Sequence, residues 1–388
     1  MDFRFSAEDE TWRGEIRAWI EGEFGAGWRG FRGEDAEADY VFAAGVRQKL
    51  AAKGWTAPAY PEEAGGLGAS FAQQAIFNEE LAYNRVPGPD LISVGYVGPT
   101  LMLYGTDEQK EHLDGIVSAR ETWCQGYSEP GSGSDLASLQ TRATRDGDDY
   151  VVNGQKIWTS NAHHANWMFM LVRTDPDAPK HRGISYLLLD METPGITVRP
   201  LINMMGRHGF NEVFFEDVRV PIANRVGEEN RGWYVGMATM DFERSAIASS
   251  AGLRRNFEDL LEFVHDNPSA LAIRRREARN LLAQTAIELA VGRSLSLRIL
   301  SMQGAGLVPN YEASIAKMFG SELNQRFART GTRILGPYGQ LRDGSVRALL
   351  DGAFAESYMG TVPSTIAGGS SEIQRNIIAT RGLGLPRG

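Results

Sequence analysis

"QGYSEPGSGSDLAS", Gln125 to Ser138, is the stretch on which the fold reading turns. It crowds serines and glycines around one proline, Pro130, and two carboxylates, Glu129 and Asp135. By composition it is a solvent loop. The alternative is a ligand cradle, because glycine lets backbone N–H groups approach an anion or a flat ring. Its flanks separate the two readings. A helical pattern runs up to it and a strand pattern runs on from it, so the loop lies where one architecture gives way to another.

Working outward, the chain up to about Ser118 has a helical period broken by Gly/Pro turns. Ser6 is placed to cap a first helix, with Asp9 at the capping-box position and Phe5 as a staple. Trp12, Ile16, Trp19 and Ile20 then share a face. Phe71, Ala75, Ile76, Glu79 and Ala82 repeat that spacing, and Thr106 opens a further helix. From about Glu121 to Arg231 the period becomes two. "WMFMLVRT", "GISYLLLDM", "GITVRPL" and "NEVFFEDVRVP" read as strands, with Asp146-Gly147 and Asn153-Gly154 as turn dipeptides. From Trp233 the helical period returns. Leu281, Leu282, Thr285, Ala286, Leu289 and Ala290 form one core stripe; Ile315, Met318, Phe319 and Leu323 form another. The expected fold is α+β, with a helical domain over 1–120, a β domain over 121–232 and a helical domain over 233–388.

This order is not the βαβ alternation of a dinucleotide-binding sheet. No Gly-x-Gly-x-x-Gly follows a strand and no phosphate-loop lysine motif exists, so a nucleotide cofactor needs some other cradle. The net charge of −9 argues against a nucleic-acid partner. Cys124 is the only cysteine, which removes intrachain disulfides and cysteine metal clusters; no metal is expected, and Cys124 reads as a buried small residue. The acidic N-terminal stretch is not a signal peptide, and no apolar run reaches the roughly 18 residues that span a bilayer. A soluble cytoplasmic protein with no membrane partner is expected.

"YSEPGSGSDLAS", "NGQKIWTSNAHHANWMFMLVRT", "GFNEVFFEDVRVP" and "TIAGGSSEIQRNIIATRGLGLP" together resemble the acyl-CoA dehydrogenase family, over essentially the whole chain and in the family's order. The resemblance implies an N-terminal helical domain, a middle β-barrel or sandwich, and a C-terminal four-helix bundle. It implies FAD as cofactor, an acyl-CoA substrate, and electron-transfer flavoprotein as electron acceptor. It also implies that Gln125, Tyr127, Ser128, Gly133 and Ser134 approach the flavin ring and pyrophosphate, with Ser134 touching the CoA portion as well. By the same resemblance Trp158, Thr159 and Ser160 are expected to line the ring from a second segment. Ser370 and Glu372 belong to the C-terminal flavin motif, where Glu372 ends a loop or caps the next helix.

The family reaction removes the α-proton of a thioester with a carboxylate while hydride leaves the β-carbon for the flavin. Many members place that carboxylate near the C-terminus, where Gly368 stands here. A smaller set, the isovaleryl- and long-chain-type members, carry it on a third-domain helix followed by arginine; "MATMDFERSAIA" supplies Glu243 and Arg244. Glu243 is therefore the expected base, with Asp241 and Arg244 at the CoA end. In family tetramers a neighbouring subunit completes each flavin site through an arginine and a glutamine. Here Asn267 and Arg333 stand near those positions, Pro337 replaces a glycine, and Arg274, Arg275 and Arg276 form a nearby cluster. Arg333 can still meet a pyrophosphate. A tetramer is expected, as homomer or heteromer. The competing readings are a flavin oxidase or monooxygenase of the same fold and a non-catalytic partner subunit. A serine hydrolase is disfavoured because "GYSEPG" lacks the final glycine of that motif.

Overall fold

The computed structural model describes residues 4–31, 33, 35–242, 247–270 and 272–386. The chain divides into two compact units, each discontinuous in sequence. One gathers residues 32–69 and 87–243, the other residues 1–31, 70–86 and 244–388.

The first unit is built on a sheet of eight strands: β1 (Trp123–Gly126), β2 (Arg142–Asp146), β3 (Asp149–Ser160), β4 (Trp167–Arg173), β5 (Ile184–Asp190), β6 (Ile196–Ile202), β7 (His208–Pro221) and β8 (Arg225–Val226). Its order is β6-β7-β3-β2-β4-β5-β8, with β1 paired to β4. Pairings are antiparallel except those of β4 with β1 and with β2. β4 and β5 are buried almost end to end, which is why their sequences are continuous apolar runs rather than alternating ones. Met168, Met170, Leu187, Leu189, Val213 and Phe215 form one core. Tyr127, Phe169, Leu171, Tyr186 and Leu188 belong to another, packed with Val97, Leu101 and Ile116 of the helical segment before the sheet. Cys124 is fully buried, and burial raises its thiol pKa far above the ordinary value. It is a core residue, as expected.

One turn expectation fails. Asn153-Gly154 is no hairpin turn but part of β3, at a shift of register against β7. Gly154 has φ 150°, and a Cβ there would come within 2.7 Å of the Thr141 backbone, so glycine is required by a close approach. The Asn153 side chain exchanges two 2.9 Å hydrogen bonds with Asp217, which seal the irregular pairing.

In the second unit, helix Ala7–Phe24 starts with the expected capping box, Ser6 and Asp9 each bonding the other's backbone N–H. Helices Phe71–Tyr83, Ile247–Asp266, Arg275–Gly304 and Tyr311–Leu335 complete its frame. Glu79 sits on the predicted apolar stripe yet is buried. Arg13 lies 3.1 Å from Glu79 and 2.6 Å from Glu80, and Arg254 and Arg293 approach Glu79 at 3.7 and 3.5 Å. The buried charges are Arg13, Glu79 and Glu80, paired as burial demands, while the half-exposed Arg254 and Arg293 approach Glu79 from two further helices. The stripe on Arg275–Gly304 is narrower than expected: Leu282, Thr285 and Leu289 are buried, while Ala286 and Ala290 face solvent.

Candidate functional site

The opening loop is held by its own acid. Glu129 and Ser132 exchange backbone hydrogen bonds of 2.9 and 3.0 Å around Pro130-Gly131, closing a tight turn. The Glu129 carboxylate accepts from the backbone N–H groups of Gln140 (2.6 Å) and Thr141 (2.9 Å), which fastens the far end of the loop to its start. It also accepts from Lys156 Nζ at 2.8 Å. Lys156 is fully buried and gives a further hydrogen bond to the Tyr127 carbonyl at 3.2 Å. The Ile157 N–H adds a 2.9 Å bond to the Ser128 carbonyl. The two segments singled out from the sequence are therefore stitched together, the stitch being an ion pair.

Electrostatics support that pair. Burial pushes Lys156 down to about 8, with Glu129 opposing the shift. Burial also pushes Glu129 upward, but Lys156, Thr141 and the Gln140 N–H together hold its carboxyl below the ordinary value. In sequence, Glu129 figures only as a loop carboxylate and Lys156 is passed over. The signal was present: Tyr150, Val152 and Lys156 share one parity of β3, so a lysine stands on the buried face and needs an acid there.

After Lys156 the parity flips. Lys156 pairs with Val213 and Thr159 with Asn211, three steps on β3 against two on β7, which is a β-bulge. Without the extra residue Trp158 would point into the core; with it, Thr159 is 1% exposed and Trp158 is 61% exposed. Trp158 also has φ 61°, a strained conformation for an aromatic residue. Its ring meets Phe210 edge-on at 6.3 Å and otherwise offers a broad open face. Asn161, just beyond, is left-handed as well, with φ 53°.

The residues present fit a flavin on three counts. A bulge spends backbone strain to expose a flat indole. The buried Thr159 Oγ1 has no hydrogen-bond partner, an absence that a bound ligand would explain. Gly131 and Gly133 avoid the left-handed region, and a Cβ on either would meet no atom within 4 Å, so nothing in this chain requires glycine at those places. They leave open space and bare backbone beside the loop.

The predicted residues fall into groups. Gln125 ends β1 beside Gly126 and is half-buried, Ser128 follows it half-buried, and Gly133 and Ser134 are exposed on the loop. The Tyr127 side chain is buried, edge-on to Phe169 and Tyr186, so only its backbone belongs to the loop surface. Ser160, half-buried, closes β3. A cavity of about 460 Å³ opens between Glu129–Ser132, Ser138, Gln140-Thr141 and Gly154-Gln155; none of the predicted flavin residues lines it.

In the helical unit the cap of helix Ser371–Ile377 is the Ser370 side chain and not Glu372, which lies within the first turn and so corrects that expectation. Gly368 and Gly369 are left-handed at φ 62° and 81°, and their carbonyls accept from Gln374, and that of Gly369 from Lys317 at 2.6 Å. Glu372 is exposed, and hydrogen bonds from its own backbone N–H and from Ser370 hold its carboxyl below the ordinary value, which makes it a weak base. Arg333 is exposed and paired with Glu277. Helix Gly232–Phe242 leads to the expected base, but Glu243 and Arg244 lie outside the described residues, as does the side chain of Asp241.

Three domain descriptions match the chain in series: acyl-CoA dehydrogenase N-terminal domain over 6–119, middle domain over 124–218 and C-terminal domain over 230–383. Among curated proteins, acyl-CoA dehydrogenase IpdE1 of Mycobacterium tuberculosis is 38% identical, over 97% of this chain and 98% of its own. Acyl-CoA dehydrogenase FadE26 of the same organism is 37% identical over 97% and 92%. Among solved structures, a Tcur3481–Tcur3483 steroid acyl-CoA dehydrogenase (ACAD) superposes with TM-score 0.89 at 35% identity, covering both chains fully. The ChsE4–ChsE5 complex from Mycobacterium tuberculosis superposes with TM-score 0.87 at 35% identity, again over both full chains. The chain belongs to the acyl-CoA dehydrogenase family and is an enzyme of that family, an oxidoreductase with the family's mixed α and β architecture. No helix among the described residues is long and apolar enough to cross a membrane.

Proposed function

We propose that this protein binds FAD and introduces an α,β double bond into an acyl-CoA thioester, giving the trans-2-enoyl product and passing electrons to an electron-transfer flavoprotein. The observation that carries the reading is Trp158, turned out of the core by a bulge and held in a left-handed conformation beside the Glu129–Lys156 stitch. A bound flavin supplies the acceptor for hydride. The chain's own residues do the rest. Gln125, Ser128, Gly133 and Ser134 present hydroxyls and bare backbone along the loop, and Trp158 and Ser160 present a flat face and a hydroxyl from β3, with Thr159 buried between them. Glu243 takes the α-proton, with Asp241 and Arg244 at the CoA end; the low basicity of Glu372 and the glycine at 368 favour this choice.

The substrate inferred is a bulky acyl-CoA of the sterol side-chain or fatty-acid kind, because the similar proteins include a steroid ACAD. The three-domain division at 120 and 232 belongs to the same proposal, as does tetrameric assembly in the cytoplasm. The ChsE4–ChsE5 complex, and Arg333 being engaged with Glu277 rather than left open, favour a second reading of that assembly, in which a sister subunit completes the flavin site.

The test is bound flavin per chain, followed by anaerobic bleaching with a panel of straight-chain, branched and sterol side-chain acyl-CoAs. Glu243→Gln should keep flavin and lose turnover by at least about 10²-fold, the lower end of what a positioned base contributes. Near-normal turnover in that variant ends the assignment of the base, and absence of bleaching by every thioester ends the dehydrogenase reading. Rapid reoxidation of the reduced enzyme by air would replace it with an oxidase.

A further inference from the structure

Beneath the Trp158 bulge lies a cluster that the reaction does not use. Three of the chain's six histidines, His163, His164 and His208, stack in one column. His163 and His208 are parallel at 3.9 Å, His163 and His164 lie at 4.0 Å, and Tyr40 of helix Ala36–Ala52 covers His164 at 3.7 Å. Arg47 of that helix lies over Tyr40, and Glu37 reaches the His164 Nε2 at 3.1 Å. Asp39 pairs with Arg207, next to His208.

Asn211, on β7 and fully buried, ties this column to the bulge. Its amide Nδ2 donates to the Thr159 carbonyl at 3.0 Å and lies 3.0 Å from His163 Nδ1, while its Oδ1 lies 2.8 Å from His208 Nε2. The Thr159 carbonyl can only accept, which fixes the amide orientation: nitrogen toward Thr159 and His163, oxygen toward His208. His163 Nδ1 must then be an acceptor, hence unprotonated, and His208 Nε2 must carry hydrogen. Glu37, His163 and His164 bring one potential ligand atom each within 4.8 Å of one another. The same bookkeeping argues against a metal ion there, because it leaves the hydrogen of a neutral His163 on Nε2.

We propose that Asn211 is a positioning residue for the flavin-lining segment: with neutral His163 as its second acceptor, it fixes the backbone of Trp158–Ser160, and protonation of His163 releases it. The inference rests on the flavin reading above. A proton on Nδ1 would face an amide N–H, lie against His164 and His208, and break the three-way contact that supplies the Thr159 carbonyl. Burial, with the neighbouring His164 and His208 rings, pushes His163 down to about 4, against opposing pulls from Glu37 and the Asn211 contact. The clamp is therefore closed at neutral pH and opens on acidification.

The experiment compares purified holoenzyme with Asn211→Leu and His163→Gln, reading flavin dissociation constant and hydrogen exchange of the 157–162 backbone between pH 7 and pH 4. Asn211→Leu should speed exchange there at least tenfold and weaken flavin at least tenfold. His163→Gln keeps an acceptor that cannot be protonated, so it should match wild type at pH 7 and lose the wild-type loosening below pH 5. Asn211→Asp, should the leucine variant fail to fold, retains size but cannot donate to Thr159. It should shift the acid transition upward, because its carboxylate favours protonated His163. Asn211→Leu within twofold of wild type in exchange at pH 7, or an acid transition unchanged in His163→Gln, overturns the clamp. A wild-type protein that takes up no flavin strikes the cofactor reading instead, and the exchange arm still decides the clamp.

Discussion

The Gln125–Ser160 region and the Gly368–Glu372 segment answer differently to the question of why their residues are there. In the first, the ordering contacts are internal: Glu129 receives Gln140, Thr141 and Lys156, and Ile157 bonds Ser128. In the second, two left-handed glycines turn the chain, Lys317 and Gln374 hold their carbonyls, and Glu372 is left exposed. The first is a finished scaffold presenting open groups at its edge. The second presents a cap and an exposed carboxylate whose neighbours, Ser370 and, at 3.9 Å, Arg375, lie on the same short helix and its cap.

The comparison breaks most readily at Lys156. Lys156→Met leaves Glu129 buried beside three donors of which the only cation is gone, and breaking a buried pair from one side costs about 3–5 kcal/mol. Denaturant unfolding should show that loss, together with release of flavin. Adding Glu129→Gln to the methionine variant should recover part of it, since no uncompensated charge then remains. The sign with pH follows from Glu129, whose carboxyl is held below its unfolded value. Its contribution is present above about pH 4.3, the ordinary glutamate value, and is lost as pH falls through the lower folded value. Lys156→Met should flatten that acid limb. A variant as stable as wild type at every pH would mean the stitch does not hold the loop.

A smaller effect separates scaffold from ligand surface. Gly133→Val adds a side chain where no atom stands within 4 Å and where φ is not left-handed. Its melting temperature should stay within a few degrees of wild type, the size expected for a change of about 1 kcal/mol or less. Flavin affinity should nevertheless fall at least tenfold. Equal flavin affinity would leave the glycine unexplained. The contrast with Gly154 is the control: there the Cβ would strike the Thr141 backbone, so Gly154→Val should unfold the hairpin whether or not flavin is present.

What was legible in sequence was mostly what is local. The strand pattern of β4 to β7 and the capping box at Ser6 are local and were read correctly, and the apolar helix stripes were read in part, too wide on Arg275–Gly304. Asn153-Gly154 was misread as a turn because a bulge and a hairpin ask for the same residues, glycine for its conformation and asparagine for its side-chain bonds. Lys156 and Asn211 were passed over because their meaning lies in partners 27 and 52 residues away. The exposure of Trp158 depends on a one-residue slip against β7, which no pattern within β3 records.

The slip also makes Trp158 a test of strain. Trp158→Gly should stabilise the flavin-free protein by about 1 kcal/mol, since glycine adopts φ 61° without the clash that a larger residue suffers. The same change should weaken flavin by removing the flat face. Opposite signs for stability and binding are what a residue held against its preference for a ligand's sake predicts; loss of both would make Trp158 a packing residue.

The smallest expected effect lies in the other unit. Arg333 is exposed and its partner Glu277 is partly so, hence Arg333→Ala should change chain stability by about 0–1 kcal/mol. If a second chain lays a flavin phosphate against this helix, the same substitution should weaken flavin in the assembled protein while leaving the melting of the isolated chain untouched. Measuring flavin retention against protein concentration separates the cases. A loss that appears only where subunits associate assigns Arg333 to a site shared between chains. A retention curve identical to wild type leaves Arg333 as a surface ion pair, and the flavin phosphates must then be met by the loop that begins at Ser128.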